Sequence, residues 1–486
     1  MRNITFALFF LTISNLCQAR LLQIIHTNDL HSYFEGYHND TGGYARVMTK
    51  IKQLRAEAAS KGIEVLQVDA GDWGEGTAFF HSNQGADSIR ALELLGTEVS
   101  TIGNHDHVMG GNVLGKQIRA ANVKTKFVLA NLEATPDMEL GDTISPYVDM
   151  ERAGIPIRII GLTTPEQNFQ YSISPGKIRS PNPIAEEEGK KGKAAGRELV
   201  IALSHLGLYS DESLGRNTTS IDLIIGGHSH AKLKEVDWVT NLNKKKVPIV
   251  QAWAHGLAVG SLLIDVKEGG AGMTVVDYKI HEIDTSLPSD PEMAAFVERS
   301  AGRRNELFNN QFDEVIGQTE TPITGYVKGL PVWRSSCWGR HFATAARKAA
   351  GTSVGVHVAA FEGVYKPAGP VTVGDVADSF PHVRKYGDGG WEIATVNMSA
   401  TKLKAMMYWI SRRGYGVTFS GLGYKDESEL SDKGYYTVAF PAEVALAIKT
   451  SLPGYRQYLQ GLKYTGKFYW PVMVDYIKEN TPLNCR

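Results

Sequence analysis

Short apolar runs alternate with segments of helical periodicity through the first half of the chain. Each run is followed by Gly, Asn, Asp, Ser or His, which is typical of strands buried on both faces of a sheet. Helices are predicted between several runs, including residues 44–60 and 87–95. The predicted strands span residues 21–25, 64–68, 99–102, 127–130, 157–160, 199–203 and 223–225. This alternation predicts a layered α/β domain.

The pattern changes near residue 286. A Pro-rich segment ending at Pro291 precedes a charged, helix-prone stretch at residues 292–309, which predicts a linker helix with Pro291 in its first turn. Beyond it, a helix at 340–350, a strand at 392–396 and a helix at 401–412 predict a mixed α/β second domain. The charged run at 186–193 (EEEGKKGK) is interrupted by glycines and is predicted to be a solvated surface loop.

The N-terminal residues have the features of a secretory signal peptide. Arg2 precedes an apolar stretch at residues 4–16, which is too short to cross a bilayer, and small residues after it predict cleavage behind Ala19. Acylation of Cys17 is an alternative, but the bulky Leu16 and the charged Arg20 fit cleavage behind Ala19 better. Later segments lack the ~18 apolar residues of a membrane helix, so we expect no transmembrane anchor.

Length and charge set further bounds. A chain of 486 residues is longer than a domain with a single compact core usually is, so two domains are expected. The predicted organisation is a signal peptide at 1–19, a first domain at 20–285, a linker helix at 286–312 and a second domain at 313–486. A formal net charge of -1 gives no overall attraction to nucleic acid duplexes or anionic membranes, so an anionic substrate must be attracted locally.

Cleavage would leave two cysteines, Cys337 and Cys485, both in the second half. In an oxidising compartment they could form one disulfide, and two unpaired thiols are the alternative. The sequence leaves both open.

Polar residues that can bind metals follow five of the predicted strands. Carboxyl ends of strands in an open α/β sheet are where ligands bind, and neighbouring glycines let the backbone turn close to an ion. Taken singly each residue is explained as well by a turn or a cap, so only the ordered set predicts a site. The candidates are Asp29 and His31 after the first run, Asp72 after the second, Asn104 after the third, His205 after the sixth, and His228 and His230 after the seventh. The spacing of Asp29 and His31 points both side chains the same way if that segment is extended.

The order of the motifs DLH, GD, GNHD, SHLG and GGHSH resembles the calcineurin-like metallophosphoesterase superfamily. Four flanking segments look like its bacterial 5'-nucleotidase and 2',3'-cyclic phosphodiesterase branch: HTNDLHS (26–32), GGYAR (42–46), ANLE (130–133) and GLTTP (161–165). The resemblance is specific from residue 21 to about 265, and weaker but continuous beyond. It implies an α/β fold with a four-layer β-sandwich flanked by helices in the metallophosphoesterase domain, plus a mixed α/β C-terminal substrate domain.

The resemblance also implies a ligand set and a mechanism. Asp29, His31, Asp72 and His230 would hold one divalent ion, and Asp72, Asn104, His205 and His228 the other, with Asp72 bridging. Zn²⁺ or Mn²⁺ suits such mixed ligands. Two ions ~3.5 to 4 Å apart can clamp a phosphoryl group and activate a water. His105 would stabilise charge in the transition state or protonate the leaving oxygen.

One departure from the family concerns His105. Relatives of the nucleotidase branch read GNHEFD, whose final Asp supports the catalytic His, whereas this chain reads GNHDHV with Val108 at that position. Asp106 and His107 are the neighbours that could take over the supporting role. Otherwise a reduced rate or a different leaving group is expected.

The substrate loops of the second half also differ. VTVGDV (371–376), SFP (379–381) and FSGL (419–422) look like family landmarks, so the fold is expected to be kept, with Phe419 as a substrate contact. Where relatives have NGGGIR, this chain ends its loop in Lys366, a poorer geometric match to an anion than arginine. Where relatives have GGDGY, Tyr455 could stack on a base or simply pack. Arg334, Arg340 and Arg347 could contact an anion or face solvent.

These observations predict two-metal hydrolysis of a small phosphomonoester or cyclic phosphodiester, of nucleotide type, by a periplasmic or secreted protein. Two alternatives are a hydrolase of sulfur esters, similar to the thiosulfohydrolases that share the two-metal core, and a non-catalytic binding protein with a residual metal site. The oligomeric state is left open.

Overall fold

The computed structural model describes residues 19–37, 41–166, 170–323, 336–358, 366–412, 416–422, 430–431, 433–451 and 453–484, except the side chains of residues 412, 450, 451 and 453. Residues 1–16, Cys17, Arg334, the loop before Lys366 and Cys485 therefore lie outside the described residues. Cys337 is disulfide-bonded. No helix in the described ranges has both the length and the apolarity to cross a bilayer.

Two mixed sheets form the centre of the first half. In spatial order, the first sheet contains Met273–Glu282, Ala258–Val266, Leu21–Thr27, Glu64–Asp69, Val99–Thr101, Lys126–Val128 and Ile144–Ser145. The second contains Asp237–Thr240, Lys246–Val250, Leu223–Gly226, Leu199–His205, Ile155–Thr163 and Tyr147–Arg152. The central strands of both sheets are parallel, and antiparallel strands lie at the edges.

The sheets pack face to face because alternate residues of their strands are apolar on the facing sides. Leu22, Leu66, Ile157, Ile201 and Leu223 belong to one buried cluster between the sheets and have essentially no exposed surface. A second cluster lies between the first sheet and its helices, and a third covers the outer face of the second sheet. The result is the expected four-layer sandwich with helices outside both sheets.

The helices follow the predictions closely in the first half. They span Tyr44–Ser60, Ala86–Leu95, Gly111–Ala121, Gln170–Ile173, Pro181–Ala194 and Leu208–Asn217, with 3₁₀ turns at Ala78–Gly85, Pro136–Met138 and Glu268–Gly270. A short ribbon pairs Leu132–Glu133 with Lys177–Ile178.

The prediction of a loop at residues 186–193 is wrong, because this segment lies inside the Pro181–Ala194 helix. Its charges form i,i+4 pairs, with Lys190 Nζ 3.0 Å from a Glu186 oxygen. Its glycines lie on the packed face, where a Cβ added to Gly189 would come within 2.3 Å of Ser220 Oγ. Close packing, and not a turn, therefore accounts for the glycines.

The Pro291–Leu307 helix begins with Asp290, whose carboxylate accepts hydrogen bonds from the backbone N–H groups of residues 292 and 293. Met293 and Phe296 are buried in the same core as the Tyr44–Ser60 helix. Near its other end, the Arg304 guanidinium lies 3.9 Å from the ring centre of Phe312, which belongs to the core of the second half. The helix thus contacts both halves.

The second half contains a five-stranded mixed sheet with helices packed on it. Its strands, in spatial order, are Val417–Ser420, Val354–Val358, Tyr435–Pro441, Glu392–Ser399 and Lys463–Phe468. Val315–Thr319 pairs with Gly369–Thr372 in a separate ribbon. The helices are Cys337–Ala350, Val373–Ser379, Ala400–Arg412, Ala442–Ser451 and Tyr469–Asn480, with a 3₁₀ turn at Pro453–Leu459. The two halves touch directly, since Ala78 N donates to Asp378 Oδ1 at 2.7 Å.

Candidate active site

All seven predicted metal ligands converge where the carboxyl ends of the two central sheets meet. The residues come from loops that leave the first sheet after Thr27, Asp69 and Thr101, and the second sheet at His205 and after Gly226. Asp29, His31, Asp72, Asn104 and His205 are buried. The side chains of His228 and His230 are 19% and 38% exposed, so the cluster opens to solvent on the side of the second sheet.

The first predicted ligand set is compact. His31 Nε2 lies 3.2 Å from His230 Nε2, 3.7 Å from Asp72 Oδ2 and 3.9 Å from Asp29 Oδ1. His230 Nε2 lies 3.4 Å from the same Asp29 oxygen. His31 Nε2 therefore lies within 4 Å of a donor atom of each of the other three residues.

The second set shares Asp72 with the first. His205 Nε2 lies 3.0 Å from Asp72 Oδ2, and the rings of His205 and His228 are 5.2 Å apart. One donor atom each from Asp72, His205 and His228 lies within 4.8 Å of the others. Asn104 Oδ1 is buried and accepts no hydrogen bond from the described residues. A buried carbonyl oxygen left without a donor suits a metal ligand.

Two of the imidazole rings are oriented by backbone carbonyls. The Nδ1 atom of His31 lies 2.6 Å from the Glu75 carbonyl oxygen, and Nδ1 of His205 lies 2.7 Å from that of Ala70. Donation from Nδ1–H in both rings leaves Nε2 as a lone-pair donor facing Asp72. This is the outer support that metal-binding histidines commonly have.

The backbone at the cluster is strained. Asp29, His31, Asp72, His228 and His230 all have positive φ, between 50° and 73°. Non-glycine residues rarely adopt this conformation, and such strain collects at functional sites. The predicted extended spacing of Asp29 and His31 is therefore wrong: their strand ends at Thr27, and a left-handed turn brings both side chains to one point.

Glycine is required where loops touch. A Cβ added to Gly103 would lie 2.1 Å from Asp72 Oδ1 and 2.5 Å from Asp72 N. The carboxylate also accepts a hydrogen bond from His105 N at 2.8 Å. Gly103 thus lets the loop of Asn104 and His105 close onto Asp72.

The electrostatics of the cluster favour a cation. Burial lowers the pKa of His205, but the Asp72 carboxylate overcomes this and raises the pKa to about 10, so Nε2 holds a proton unless a metal ion takes that place. Burial lowers the pKa of His31 to about 4, so this ring is held neutral as a ligand must be. The mixture of carboxylate, amide and imidazole donors fits divalent ions such as Zn²⁺ or Mn²⁺.

His105 lies beside the cluster and has a carboxylate partner. Its Nδ1 atom is 2.9 Å from Glu75 Oε2, and the Nδ1 atom of His382, from the second half, is also 2.9 Å from that oxygen. Burial opposes a charge on Glu75, but His382 and His105 lower the pKa of this carboxyl to about 2. Burial also lowers the pKa of His105, and Asp72 and Glu75 together raise it to about 9. Glu75 is therefore an ionised partner of His105.

The carboxylate that faces His105 Nδ1 is that of Glu75, and not that of the neighbour Asp106 proposed from the sequence. The Asp106 carboxylate accepts hydrogen bonds from the backbone N–H groups of Asp72, Gly74 and Gly103, which fixes the two loops to each other. His107 Nδ1 lies 2.8 Å from Ser172 Oγ. The partner is Glu75, and Val108 instead lines a cavity next to His105.

The three predicted substrate residues lie elsewhere. Lys366 Nζ forms an ion pair of 2.8 Å with Asp375. Phe419 is buried in the core of the second half, and Tyr455 packs against Trp409 and Tyr458. None of the three is among the described residues that line the cavity at His105.

Sequence reasoning missed Glu75, His255 and His382. His255 follows the Lys246–Val250 strand, so its position at a strand end was a usable signal, and its ring lies 5.5 Å from that of His31. Glu75 lies in a turn with no periodic pattern, and His382 comes from the second half. Glu75 and His382 come together only in the folded chain.

The fold and the ligand cluster define a metallophosphoesterase-type domain. A family model described as calcineurin-like phosphoesterase matches residues 22–232, which include all seven candidate ligands. Residues 22–232 therefore form a calcineurin-like phosphoesterase domain.

One curated relative is the 5'-nucleotidase of Rattus norvegicus, which is 30% identical over 279 residues. That alignment covers 52% of this chain and 48% of the relative. The chain thus spans about half the length of the curated relatives it matches.

Two solved structures share the fold over nearly the whole chain. A 5'-nucleotidase precursor from Thermus thermophilus superposes with a TM-score of 0.78 at 22% identity, covering 94% of this chain and 96% of that one. A sulfate thiohydrolase from the same species has a TM-score of 0.72 at 16% identity, with coverages of 96% and 95%. Each of the two superpositions includes the first and the second half of the chain, so the two-domain fold is shared.

Proposed function

We propose that this protein hydrolyses a phosphomonoester or cyclic phosphodiester, of nucleotide type, with two divalent metal ions. The observation that carries the proposal is the shared position of Asp72, whose Oδ2 atom lies 3.0 Å from His205 Nε2 and 3.7 Å from His31 Nε2. One carboxylate at the junction of two ligand sets is what a pair of neighbouring ions requires. The family match over residues 22–232 supports the reaction class.

Bound ions would neutralise phosphate oxygens and supply a water of lowered pKa. Asp29, His31, Asp72 and His230 would hold one ion, and Asp72, Asn104, His205 and His228 the other. The outer hydrogen bonds from Asn28 Nδ2 and His228 N to the Asp29 carboxylate, at 2.6 and 3.0 Å, keep that ligand in place. Ligands held in this way would keep the ions, and the phosphoryl group bound to them, in one position.

In the hydrolysis, a bond forms between a water oxygen and phosphorus while the bond from phosphorus to the leaving oxygen breaks. The leaving oxygen then takes a proton. His105 is placed to donate it, because its ring lies 5.0 Å from that of His31 at the ligand cluster and its Nδ1–H is directed to Glu75. Ionised Glu75 stabilises the charged imidazolium before the transfer.

We place the reaction outside the cytoplasm, in the periplasm or after secretion. The signal-like residues 1–19 support this location, as does the description of the Thermus thermophilus neighbour as a precursor. Within the chain, residues 20–285 would be catalytic, 286–312 the linker, and 313–486 the substrate domain.

The test is hydrolysis of 4-nitrophenyl phosphate and bis(4-nitrophenyl) phosphate by purified protein with Mn²⁺ or Zn²⁺. We expect activity that is abolished in His230→Ala. His105→Ala should retain its metal and lose at least about a hundredfold in the hydrolysis of benzyl phosphate, whose leaving oxygen needs a proton. A protein that binds metal but hydrolyses neither ester would overturn the proposal.

A sulfur-ester hydrolase is the second candidate, favoured by the sulfate thiohydrolase fold neighbour and by the engagement of Lys366 with Asp375 in place of a free anion-binding arginine. A panel of nucleotides, sugar phosphates and S-sulfonated thiols separates the candidates. Turnover of only the sulfur compounds would select the second one.

A further inference from the structure

One histidine at the ligand cluster lies outside the two proposed ligand sets. This is His255, in the loop that follows the Lys246–Val250 strand. That strand pairs in parallel with Leu223–Gly226, so the loops after the two strands leave the same edge of the sheet. The loop of His255 therefore lies beside the loop that carries His230.

Backbone hydrogen bonds tie the loop of His255 to both neighbouring ligand loops. His255 N donates to the Asp29 carbonyl oxygen at 2.7 Å, and Trp253 N donates to that of Ala231, the residue after His230, at 3.0 Å. His255 also has a positive φ of 58°, the left-handed conformation that five of the predicted ligands adopt. Such strain in a non-glycine residue is kept where the position of a side chain has to be fixed.

Two tyrosines hold the ring of His255. Its centre lies 4.2 Å from the ring centre of Tyr33, with planes 29° apart, and 4.9 Å from that of Tyr37, with planes 23° apart. Tyr33 is 4% exposed and is therefore a fixed support. Because the tyrosines stack on the faces of the imidazole, its two nitrogens lie at an edge that points away from them.

The ring of His255 meets two members of the first ligand set. Its centre is 5.5 Å from that of His31 and 5.1 Å from that of His230, with planes 61° and 83° apart. One nitrogen from each of the three rings lies within 4.8 Å of the other two. Nitrogens on opposite sides of one zinc ion lie about 4.2 Å apart, since each Zn–N bond is about 2.1 Å long. Small side-chain rotations therefore suffice for the three rings to share one ion.

We propose that His255 is a fifth protein ligand of the first ion and that it makes this site selective for Zn²⁺ over Mn²⁺. The inference rests on the proposed two-metal site. The complete first set is then Asp29, His31, Asp72, His230 and His255. Its three imidazoles suit zinc, whereas sites dominated by carboxylate, carbonyl and water oxygens suit manganese. The second set has only two imidazoles beside a carboxylate and an amide, so the selectivity belongs to the first site.

The first test measures metal affinity in His255→Phe. Phenylalanine keeps a ring stacked on the two tyrosines and removes both nitrogens, so it separates coordination from packing. In competition with a chelator of known affinity, Zn²⁺ should bind one of the two sites at least about tenfold more weakly than in wild type, because even the outer partners of metal ligands contribute about ten- to hundredfold. The other site should keep its wild-type affinity. Mn²⁺ should be weakened less than Zn²⁺ at the affected site.

The matched control is His341→Phe, the same change at a histidine of the second half whose Nδ1 atom lies 3.0 Å from the Tyr476 hydroxyl. It should leave both affinities unchanged, and thermal melting of each variant checks the fold. Wild-type affinity at both sites in folded His255→Phe would overturn the inference while leaving the two-metal site intact. An equal loss for Zn²⁺ and Mn²⁺ would overturn the selectivity. A wild type that binds fewer than two ions would instead contradict the proposed function.

The second test locates the ion in crystals of the Zn²⁺-loaded wild type. The anomalous peak of the first ion should lie about 2.0 to 2.3 Å from a nitrogen of His255. A separation above about 3 Å would refute ligation. A His255→Phe protein that keeps both ions at wild-type affinity but is inhibited less by inorganic phosphate would show that the ring contacts the phosphoryl group, which also overturns the inference.

Discussion

The contact between His105 and Glu75 carries the most specific prediction about the reaction. Glu75→Gln keeps the shape of the side chain and removes its charge. The carboxylate is 2% exposed and lies 2.9 Å from His105 Nδ1, so solvent screens this pair weakly. Exchanging a charged acceptor for a neutral one weakens a hydrogen bond by about 1 to 1.5 kcal/mol, which corresponds to about tenfold in rate.

The loss should depend on the leaving group. Benzyl alcohol leaves only with a proton, whereas nitrophenolate leaves as a stable anion, and the two rings are nearly the same size. We expect Glu75→Gln to lower kcat about tenfold for benzyl phosphate and less than about twofold for 4-nitrophenyl phosphate. Metal content, measured by inductively coupled plasma mass spectrometry, should stay at the wild-type value.

A double-mutant cycle with His105→Ala completes this assay. If Glu75 acts through His105, Glu75→Gln adds little to the loss already caused by His105→Ala. Equal losses on both esters, full additivity in the cycle, or a fall in metal content would refute the positioning role of Glu75.

Two further predictions test the loop contact and the buried acid. Gly103→Ala should displace Asp72 and weaken metal binding at least about tenfold in isothermal titration. The control Gly302→Ala, at a position with nothing within 4 Å of the added Cβ, should leave binding unchanged. Unaltered affinity in Gly103→Ala would contradict the steric account. Glu443 is buried, and burial raises the pKa of its carboxyl in the folded chain from 4.5 to about 8. As pH rises, the unfolded chain therefore loses this proton first. Between those pH values the free energy of unfolding falls by at most about 1.4 kcal/mol per pH unit because of this residue. In urea titrations, Glu443→Gln should therefore gain stability relative to wild type as pH rises from about 5 to about 8, while the exposed control Glu268→Gln should not; a constant difference would argue against a buried neutral acid.

The convergence of the seven candidate ligands could be predicted from the sequence because its signal is local. Each candidate lies within a few residues of the end of an apolar run, and chain order alone brings the ends of parallel strands to one edge. His205, the last residue of Leu199–His205, is an example: alone it is explained as well by a structural role, and its place in the ordered set is what predicts a ligand. The same logic extends to His255, which follows another strand end.

The support of His105 could not be predicted in this way. Glu75 lies in the turn Gly74-Glu75-Gly76, and His382 follows Pro381 in the other half. Their contact depends on how the two halves pack, which no periodicity encodes. The backbone dihedral angles could not be predicted from the sequence either. Asp29 and His31 have positive φ, whereas their spacing predicted an extended segment.

The composition of residues 186–193 led to the wrong prediction of a loop. Glycines among charges usually indicate a solvated loop, yet here Gly192 approaches the Arg158 side chain, with an added Cβ at 2.9 Å from its Cδ atom. Glycine was needed for close packing of a helix, a requirement set by the neighbouring strand.

Metal stoichiometry tests the central claim most directly. Crystals of the Mn²⁺- or Zn²⁺-loaded protein should show two anomalous peaks ~3.5 to 4 Å apart. One peak should lie among Asp29, His31, Asp72 and His230, and the other among Asp72, Asn104, His205 and His228. A single peak, or peaks away from Asp72, in protein shown to be fully loaded would contradict the account.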